Sequence, residues 1–226
     1  VVYNNKIWII GGIAVDASGD ETYLQDVWSF DGTGWTEEAT VAGFPARKSP
    51  HIFVHNNAIW FIGGKDMSDD VYNDVYTSTD GVTWTGVTVV DPFTAVDHTA
   101  SLVYNGYMWI LGGFNEATNT AIYDTWYSTD GTSWTQGPDL DSDLKGHPYQ
   151  FNGYLYIVGG FNGLEYNAEI WGSTGSGDWE MQTSDGGFGA RYTPAIEFDN
   201  RLWLIGGETY DATGDRVYLN DVWYAE

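Results

Sequence analysis

Only eight of the 226 residues are lysine or arginine, and four of them cluster with the histidines in short segments at matching places along the chain. The set comprises Arg47, Lys48, His51, Asp97, His98, Lys145, His147 and Arg191. Guanidinium, ammonium and imidazole groups gathered at one mouth would hold an anionic or sugar ligand through charge-assisted hydrogen bonds. We take Arg47, His51, His98, Lys145, His147 and Arg191 as candidate ligand-binding residues. The alternative for the same groups is structural: they pair with nearby carboxylates and lock one unit of the chain to the next.

A second set is acidic. Asp16-Ala17-Ser18-Gly19-Asp20-Glu21 places carboxylates on both sides of a glycine turn, and Asp211-Ala212-Thr213-Gly214-Asp215 echoes it. Asp66, Asp69 and Asp70 fall at the corresponding place. Hard divalent cations need several oxygens at close range. Asp16, Asp20, Glu21, Asp211 and Asp215 are therefore candidate Ca²⁺ ligands. No complete Ca²⁺-loop motif accompanies them, and a solvated acidic turn is the competing reading.

A third set is aromatic: Tyr23, Tyr72, Phe114, Tyr123, Phe161, Tyr166, Tyr210 and Tyr218. Rings with a polar tip beside carboxylates suit sugar stacking. Tyr166 and Tyr210 are the candidate contacts. Packing over the base of a loop is the alternative.

Several chemistries are excluded. The chain has no cysteine, so it has no disulfide, thiolate metal site or cysteine nucleophile. Asp97-His98 is its one acidic–histidine dipeptide, and adjacent strand residues point to opposite faces. No Gly-x-Ser-x-Gly elbow, His-Glu-x-x-His motif or phosphate loop occurs. A carboxylate pair assembled between loops leaves no local motif, so a polysaccharide-active enzyme stays open as an alternative. The formal charge of −24 repels nucleic acid and anionic membrane surfaces. No stretch reaches the roughly 18 apolar residues of a membrane helix. Acidity of this degree fits salt-rich surroundings or bound cations.

These residues must be positioned by repeats. Gly pairs recur at Gly11-Gly12, Gly63-Gly64, Gly112-Gly113, Gly159-Gly160 and Gly206-Gly207, with spacings of 52, 49, 47 and 47 residues. After each comes an acid-x-aromatic triplet: Asp26-Val27-Trp28, Asp74-Val75-Tyr76, Asp124-Thr125-Trp126, Glu169-Ile170-Trp171 and Asp221-Val222-Trp223. A fixed period near 50 residues marks a repeat architecture. Each repeat reads as four short strands rich in β-branched and aromatic residues, punctuated by Asn-Gly and Asp-Gly turns. The second strand is apolar on both faces, as in a sheet packed between two others. Radially stacked four-stranded sheets make a β-propeller. The expected fold is all-β, a β-propeller of four-stranded antiparallel blades at about 1–45, 46–92, 93–141, 142–186 and 187–226.

The Gly pair, the later aromatic and the single Trp of the fourth strand (Trp35, Trp84, Trp134, Trp179) resemble kelch repeats. The resemblance covers the entire chain and implies a propeller, often of six or seven blades. Ser78-Thr79-Asp80-Gly81-Val82-Thr83-Trp84 and Ser128-Thr129-Asp130-Gly131-Thr132-Ser133-Trp134 also resemble an Asp-box, one residue shorter between Asp and Gly. There the aspartate accepts turn amides and the glycine supplies a positive φ, a structural role. Copper radical oxidases use kelch propellers but need a Tyr–Cys crosslink, which this chain cannot form. Sialidases need an arginine cluster, and Arg47, Arg191, Arg201 and Arg216 do not share one register.

The chain starts within a first strand and stops after a third strand, so we expect a piece of a longer protein. Strand parity puts the short, uniform turns on one face and the long, variable loops on the other. All three residue sets fall on the long-loop face. Loops held by a rigid scaffold carry function. The expected activity is non-catalytic binding or scaffolding through that face, with protein or glycan as partner, outside the cell or on a surface assembly.

Overall fold

The computed structural model describes residues 1–95, 100–115, 120–140, 147–161, 165–174, 178–193 and 195–225; the side chains of 113–115, 120, 121, 147 and 161 are not described. All regular structure in these residues is β-strand. Blade 1 holds β1 (Val2–Tyr3), β2 (Lys6–Val15), β3 (Glu21–Phe30) and β4 (Trp35–Ala39). Blade 2 holds β5 (His51–His55), β6 (Ala58–Lys65), β7 (Val71–Ser78) and β8 (Thr85–Val87). Blade 3 holds β9 (Ala100–Tyr104), β10 (Tyr107–Asn115), β11 (Thr120–Ser128) and β12 (Thr135–Gln136). Blade 4 holds β13 (His147–Phe151), β14 (Tyr154–Phe161), β15 (Tyr166–Ser173) and β16 (Glu180–Thr183). Blade 5 holds β17 (Ala195–Phe198), β18 (Arg201–Tyr210) and β19 (Arg216–Ala225). Strands pair antiparallel in chain order within every sheet, and the fifth sheet has three strands. The protein is a β-propeller.

The Gly pairs are bulges. In every blade the register between the second and third strands shifts there, as between Ile62 and Gly64. Gly63 sits at φ +62, and a Cβ on it would meet the Tyr72 carbonyl oxygen at 2.9 Å. Only glycine fits such a position without strain.

Apolar side chains on both faces of the second strand build the interblade cores. Trp8 and Ile10 of blade 1 join Ile59 and Phe61 of blade 2 in one cluster, and the pattern continues around the arc. The polar tips of aromatic and histidine side chains pin neighbouring blades. Tyr3 Oη donates to the Asn57 and Thr79 carbonyls at 2.7 and 2.9 Å. Tyr104 Oη donates to the Gly153 and Thr174 carbonyls, and His55 Nε2 lies 2.9 Å from the Thr129 carbonyl oxygen.

The first and last sheets differ from the inner ones in burial. Ile7 is 47% exposed whereas its blade 2 counterpart Ile59 is fully buried. Val222 is 56% exposed whereas its blade 1 counterpart Val27 is fully buried. Both sheets carry the residues that stack blade on blade elsewhere.

Candidate functional site on the long-loop face

Arg47 and Arg191 are interblade ties. The Arg47 carbonyl accepts from Gly12 of blade 1 at 3.1 Å, while its guanidinium crosses to blade 2. There Nη1 donates to the Gly63 carbonyl at 3.2 Å, and both Nη atoms engage the Asp74 carboxylate. The guanidinium also lies 3.8 Å from the Tyr72 ring centroid. Arg191 repeats the device between blades 4 and 5. Its carbonyl accepts from Gly160 at 2.9 Å, and Nη1 donates to Gly206 at 3.1 Å and to Asp221 at 2.6 Å. Both arginines are buried. A planar fork matched to a carboxylate is geometry that lysine cannot reproduce. The structural alternative describes these two residues.

The acid of the triplet is thereby explained. Asp221 also accepts from the Trp223 indole at 2.7 Å, as Asp26 does from Trp28 and Glu169 from Trp171. Residues two apart on a strand share a face, which sets the acid-x-Trp spacing. The Arg191 guanidinium, and then the Trp223 indole, hold the Asp221 carboxyl well below the usual carboxylate range. In blade 3, Asp124 accepts instead from the Thr94 hydroxyl at 3.1 Å.

His51 is buried in β5 with its ring 6.5 Å from that of Phe53. His98 and Lys145 lie outside the described residues, and His147 is described only as a β13 backbone position.

The acidic loops close on themselves. Asp16 Oδ1 accepts the amides of Ser18 and Asp20 at 2.7 and 3.0 Å. Asp66 does the same with Ser68 and Asp70, and Asp211 with Thr213 and Asp215. Each first aspartate staples its own hairpin loop, as short polar side chains do in turns. Asp20 and Asp215 supply the amide closing that loop, and Asp215 Oδ2 also accepts from the Thr213 hydroxyl at 3.1 Å. Glu21 lies 3.9 Å from Lys48. Among the described residues, no three His, Asp or Glu side chains converge as a metal site would require.

Two quasi-equivalent clusters do form where neighbouring hairpins meet. Between blades 1 and 2, Lys48 and Lys65 exchange backbone hydrogen bonds at 3.0 Å, with the Lys48 ammonium 5.6 Å from the Tyr23 ring centroid. A hydrogen bond with Tyr23 raises the Lys48 pKa. Lys65 is buried and pairs with Asp69 at 2.9 Å. Between blades 4 and 5 the same positions are Tyr192, Glu208 and Tyr166. Tyr192 and Glu208 exchange the equivalent backbone bonds at 3.0 Å, and Tyr166 Oη donates to Glu208 Oε1 at 3.0 Å. Burial and the Glu208 carboxylate push the Tyr166 phenol up to about 12.

The second cluster reaches the surface. In the β18–β19 register, Glu208 faces Tyr218 and Tyr210 faces Arg216, so these four share one face of the hairpin. Tyr210 packs edge-on against Tyr166 with ring centroids 4.9 Å apart. Arg216 lies 3.7 Å from Glu208, and Tyr218 is 79% exposed. The structure thus brings the candidates Tyr166 and Tyr210 together. Reasoning from sequence missed Lys65, Tyr192, Glu208 and Arg216. The available signal was the residue directly after each Gly pair: Ile13, Lys65, Phe114, Phe161 and Glu208. Only two of these five are charged.

Comparison with known proteins agrees with the architecture. Residues 2–126 match the family described as the DUF6242 beta propeller domain. The solved structure of YjhT superposes with a TM-score of 0.78 at 15% identity, over 99% of this chain and 79% of YjhT, a likeness of fold. No curated protein matches the chain.

Proposed function

We propose, for a chain that belongs to the DUF6242 beta propeller domain family, a non-catalytic binding or scaffold role through the long-loop face. The observation that carries this reading is the tyrosine cluster between blades 4 and 5. Tyr166 and Glu208 form a fixed base, and Tyr210, Arg216 and Tyr218 stand above it on one hairpin face. Tyrosine offers large contact area with few rotatable bonds, and arginine adds directional donors; both are enriched where proteins bind partners. Protein–protein or surface-assembly contact is the first reading. Engagement of Arg47, Arg191, Asp16, Asp66 and Asp211 in the scaffold supports binding over acid–base chemistry.

A glycan ligand is the second reading. Exposed phenol rings beside a carboxylate and a guanidinium offer both a stacking surface and hydrogen-bonding groups to a sugar. The kelch-like character of the repeats, a place outside the cell or on a surface assembly, and salt-rich surroundings belong to the same proposal, the last two resting on the −24 charge.

The test is a binding screen of the chain against a glycan array and against immobilised surface proteins, in high salt, with Ca²⁺ and again with chelator. A ligand lost with Tyr218→Ala supports the site. A ligand retained by Tyr218→Ala and Tyr210→Ala but lost by substitution on the short-turn face would place binding elsewhere and sink the proposal.

A further inference from the structure

A cavity of about 380 Å³ opens between blades 3 and 4, inside the range of about 300–1,000 Å³ usual for small-molecule sites. Tyr107, Trp109 and Tyr127 give it an aromatic wall, and Asn105, Gln136 and Pro138 line the rest. The Trp109 and Tyr127 ring centroids lie 4.6 Å apart, with Tyr107 edge-on to Tyr127 at 5.2 Å. Among the described residues, no side chain lining the cavity is charged.

Polar groups that close the other junctions are unspent here. In blades 1, 2 and 5 the second-strand indole donates to the carbonyl five residues earlier, from Trp8 to Tyr3 at 3.0 Å, Trp60 to His55 at 3.0 Å and Trp203 to Phe198 at 2.9 Å. Trp109 holds the same place in blade 3, yet its buried indole N–H has no acceptor among the described residues. A buried donor left unpaired is destabilising and calls for an explanation. Asn56 Nδ2 of blade 2 donates across to the Thr129 carbonyl at 3.1 Å, whereas its blade 3 counterpart Asn105 stands exposed beside the cavity. The sequence differs at the seat of this indole. Trp8 and Trp60 pack against Gly81 and Gly131 of the next blade's Asp-Gly turn, but the fourth repeat reads Ser173-Thr174-Gly175-Ser176, with no Asp-Gly pair. Trp109 packs instead beside Gly137, whose Cβ would fall 3.1 Å from its ring. The blade 2 counterpart of Gly137 is Val87, which packs against the interblade core.

We propose that this cavity binds the ring of a neutral sugar. A sugar ring presents an apolar C–H face to the aromatic wall and hydroxyls at its edge. Those hydroxyls meet the Asn105 amide, which both donates and accepts, and supply the acceptor that the Trp109 N–H lacks. Gln136 Nε2 donates to Asp139 at 3.2 Å, which orients the amide and leaves its Oε1 to accept from the ligand. An anionic sugar is disfavoured, because none of the described lining residues is cationic and the chain carries a charge of −24. The site lies apart from the tyrosine cluster between blades 4 and 5 and does not rest on it.

The test is ¹H–¹⁵N NMR of the 226-residue chain, titrated with the methyl glycosides of glucose, galactose, mannose and N-acetylglucosamine, and with glucuronate as the anionic control. The Trp109 indole signal is the one missing from Trp109→Phe. At least one glycoside is expected to shift that signal saturably, with a dissociation constant of about 1 mM, and glucuronate is expected not to. Asn105→Ala and Gln136→Ala, both at exposed positions, should weaken this binding by about fivefold or more while melting as the parent does. If Trp109→Phe does not fold, these two variants carry the test through whichever indole signal the glycoside moves. Tyr218→Ala should leave the titration unchanged, so this inference and the tyrosine-cluster reading fail separately. No indole shift with any glycoside at tens of millimolar, tighter binding of glucuronate than of every glycoside, or equal binding by the parent and both alanine variants overturns the proposal.

Discussion

The Trp8 indole packs against Gly81, so close that a Cβ at position 81 would fall 2.3 Å from the ring. Trp60 stands in the same relation to Gly131, at 2.5 Å. The second-strand indole of one blade therefore rests on the Asp-Gly turn of the next, while its own N–H donates back to the carbonyl five residues earlier. One glycine serves two needs: a φ of +79 for the turn and clearance for a neighbour's ring.

Gly81→Ala should cost about 3 kcal/mol, combining overpacking with left-handed backbone strain. Gly131→Ala should behave alike. Gly32 has φ +96 but nothing within 4 Å of its would-be Cβ, so Gly32→Ala should cost only about 1 kcal/mol. Urea unfolding of the three variants checks the contrast; equal losses would contradict the interblade contact.

Arg191→Ala should destabilise the fold by about 2 kcal/mol, because it leaves the buried Gly206 carbonyl without its donor and removes a buried side chain from the blade 4–5 junction, while water takes over the half-exposed Asp221 carboxylate. Arg47→Ala should do the same between blades 1 and 2. Lysine at either position should recover only part, since it cannot make the bidentate contact. Thermal and urea melts provide the check. Unchanged melting together with lost ligand binding would instead assign these arginines to a ligand.

The Asp-Gly turns predict an acid-dependent difference. The Asp80 carboxylate accepts amide hydrogen bonds from Thr83 and Val82, which draw its pKa from 3.8 to about 2. The folded value lies below the unfolded one, so the stabilisation is present above about pH 4 and is lost as pH falls towards about 2. Asp80→Ala should be less stable than the parent at neutral pH. The gap should close between about pH 4 and pH 2, read by urea unfolding across that range. A gap that stays constant with pH would remove the ionised carboxylate from the explanation.

The acidic loops should respond to their own aspartates rather than to calcium. Asp16→Ala, Asp66→Ala and Asp211→Ala should each speed hydrogen exchange within their loop, since each removes the acceptor for two loop amides. At constant ionic strength, millimolar Ca²⁺ should leave the melting temperature unchanged. Raising NaCl to about 1 M, where the Debye length is only about 3 Å, should raise it by screening the −24 charge. A calcium-dependent rise would restore Asp16, Asp20, Glu21, Asp211 and Asp215 as a cation site.

The blades were legible because their signals are local. Gly pairs, Asn-Gly and Asp-Gly turns and the acid-x-Trp triplet each act within a few residues of themselves, and together they specify strands, bulges and turns. The grouping of loops by face followed from strand parity alone, and the Tyr166 and Tyr210 rings lie 4.9 Å apart. The partners of the arginines were not legible, because Arg47 reaches Asp74 across 27 residues and Arg191 reaches Asp221 across 30. A connector's bend decides that reach, and no periodicity encodes it. Glu208, Arg216 and Tyr218 share a face only because the bulge between Ile205 and Gly207 shifts the hairpin register. Counting alternation along either strand does not reveal the shift.

The most direct test of the binding account is to take the ligand found by screening and measure its affinity for the parent, Tyr218→Ala, Tyr210→Ala and Arg216→Ala, with melting curves recorded for each. We expect each substitution to weaken binding by about tenfold or more while leaving the melting temperature within a few degrees of the parent. Unchanged affinity in all three variants would contradict the account and move the functional surface away from the blade 4–5 hairpins.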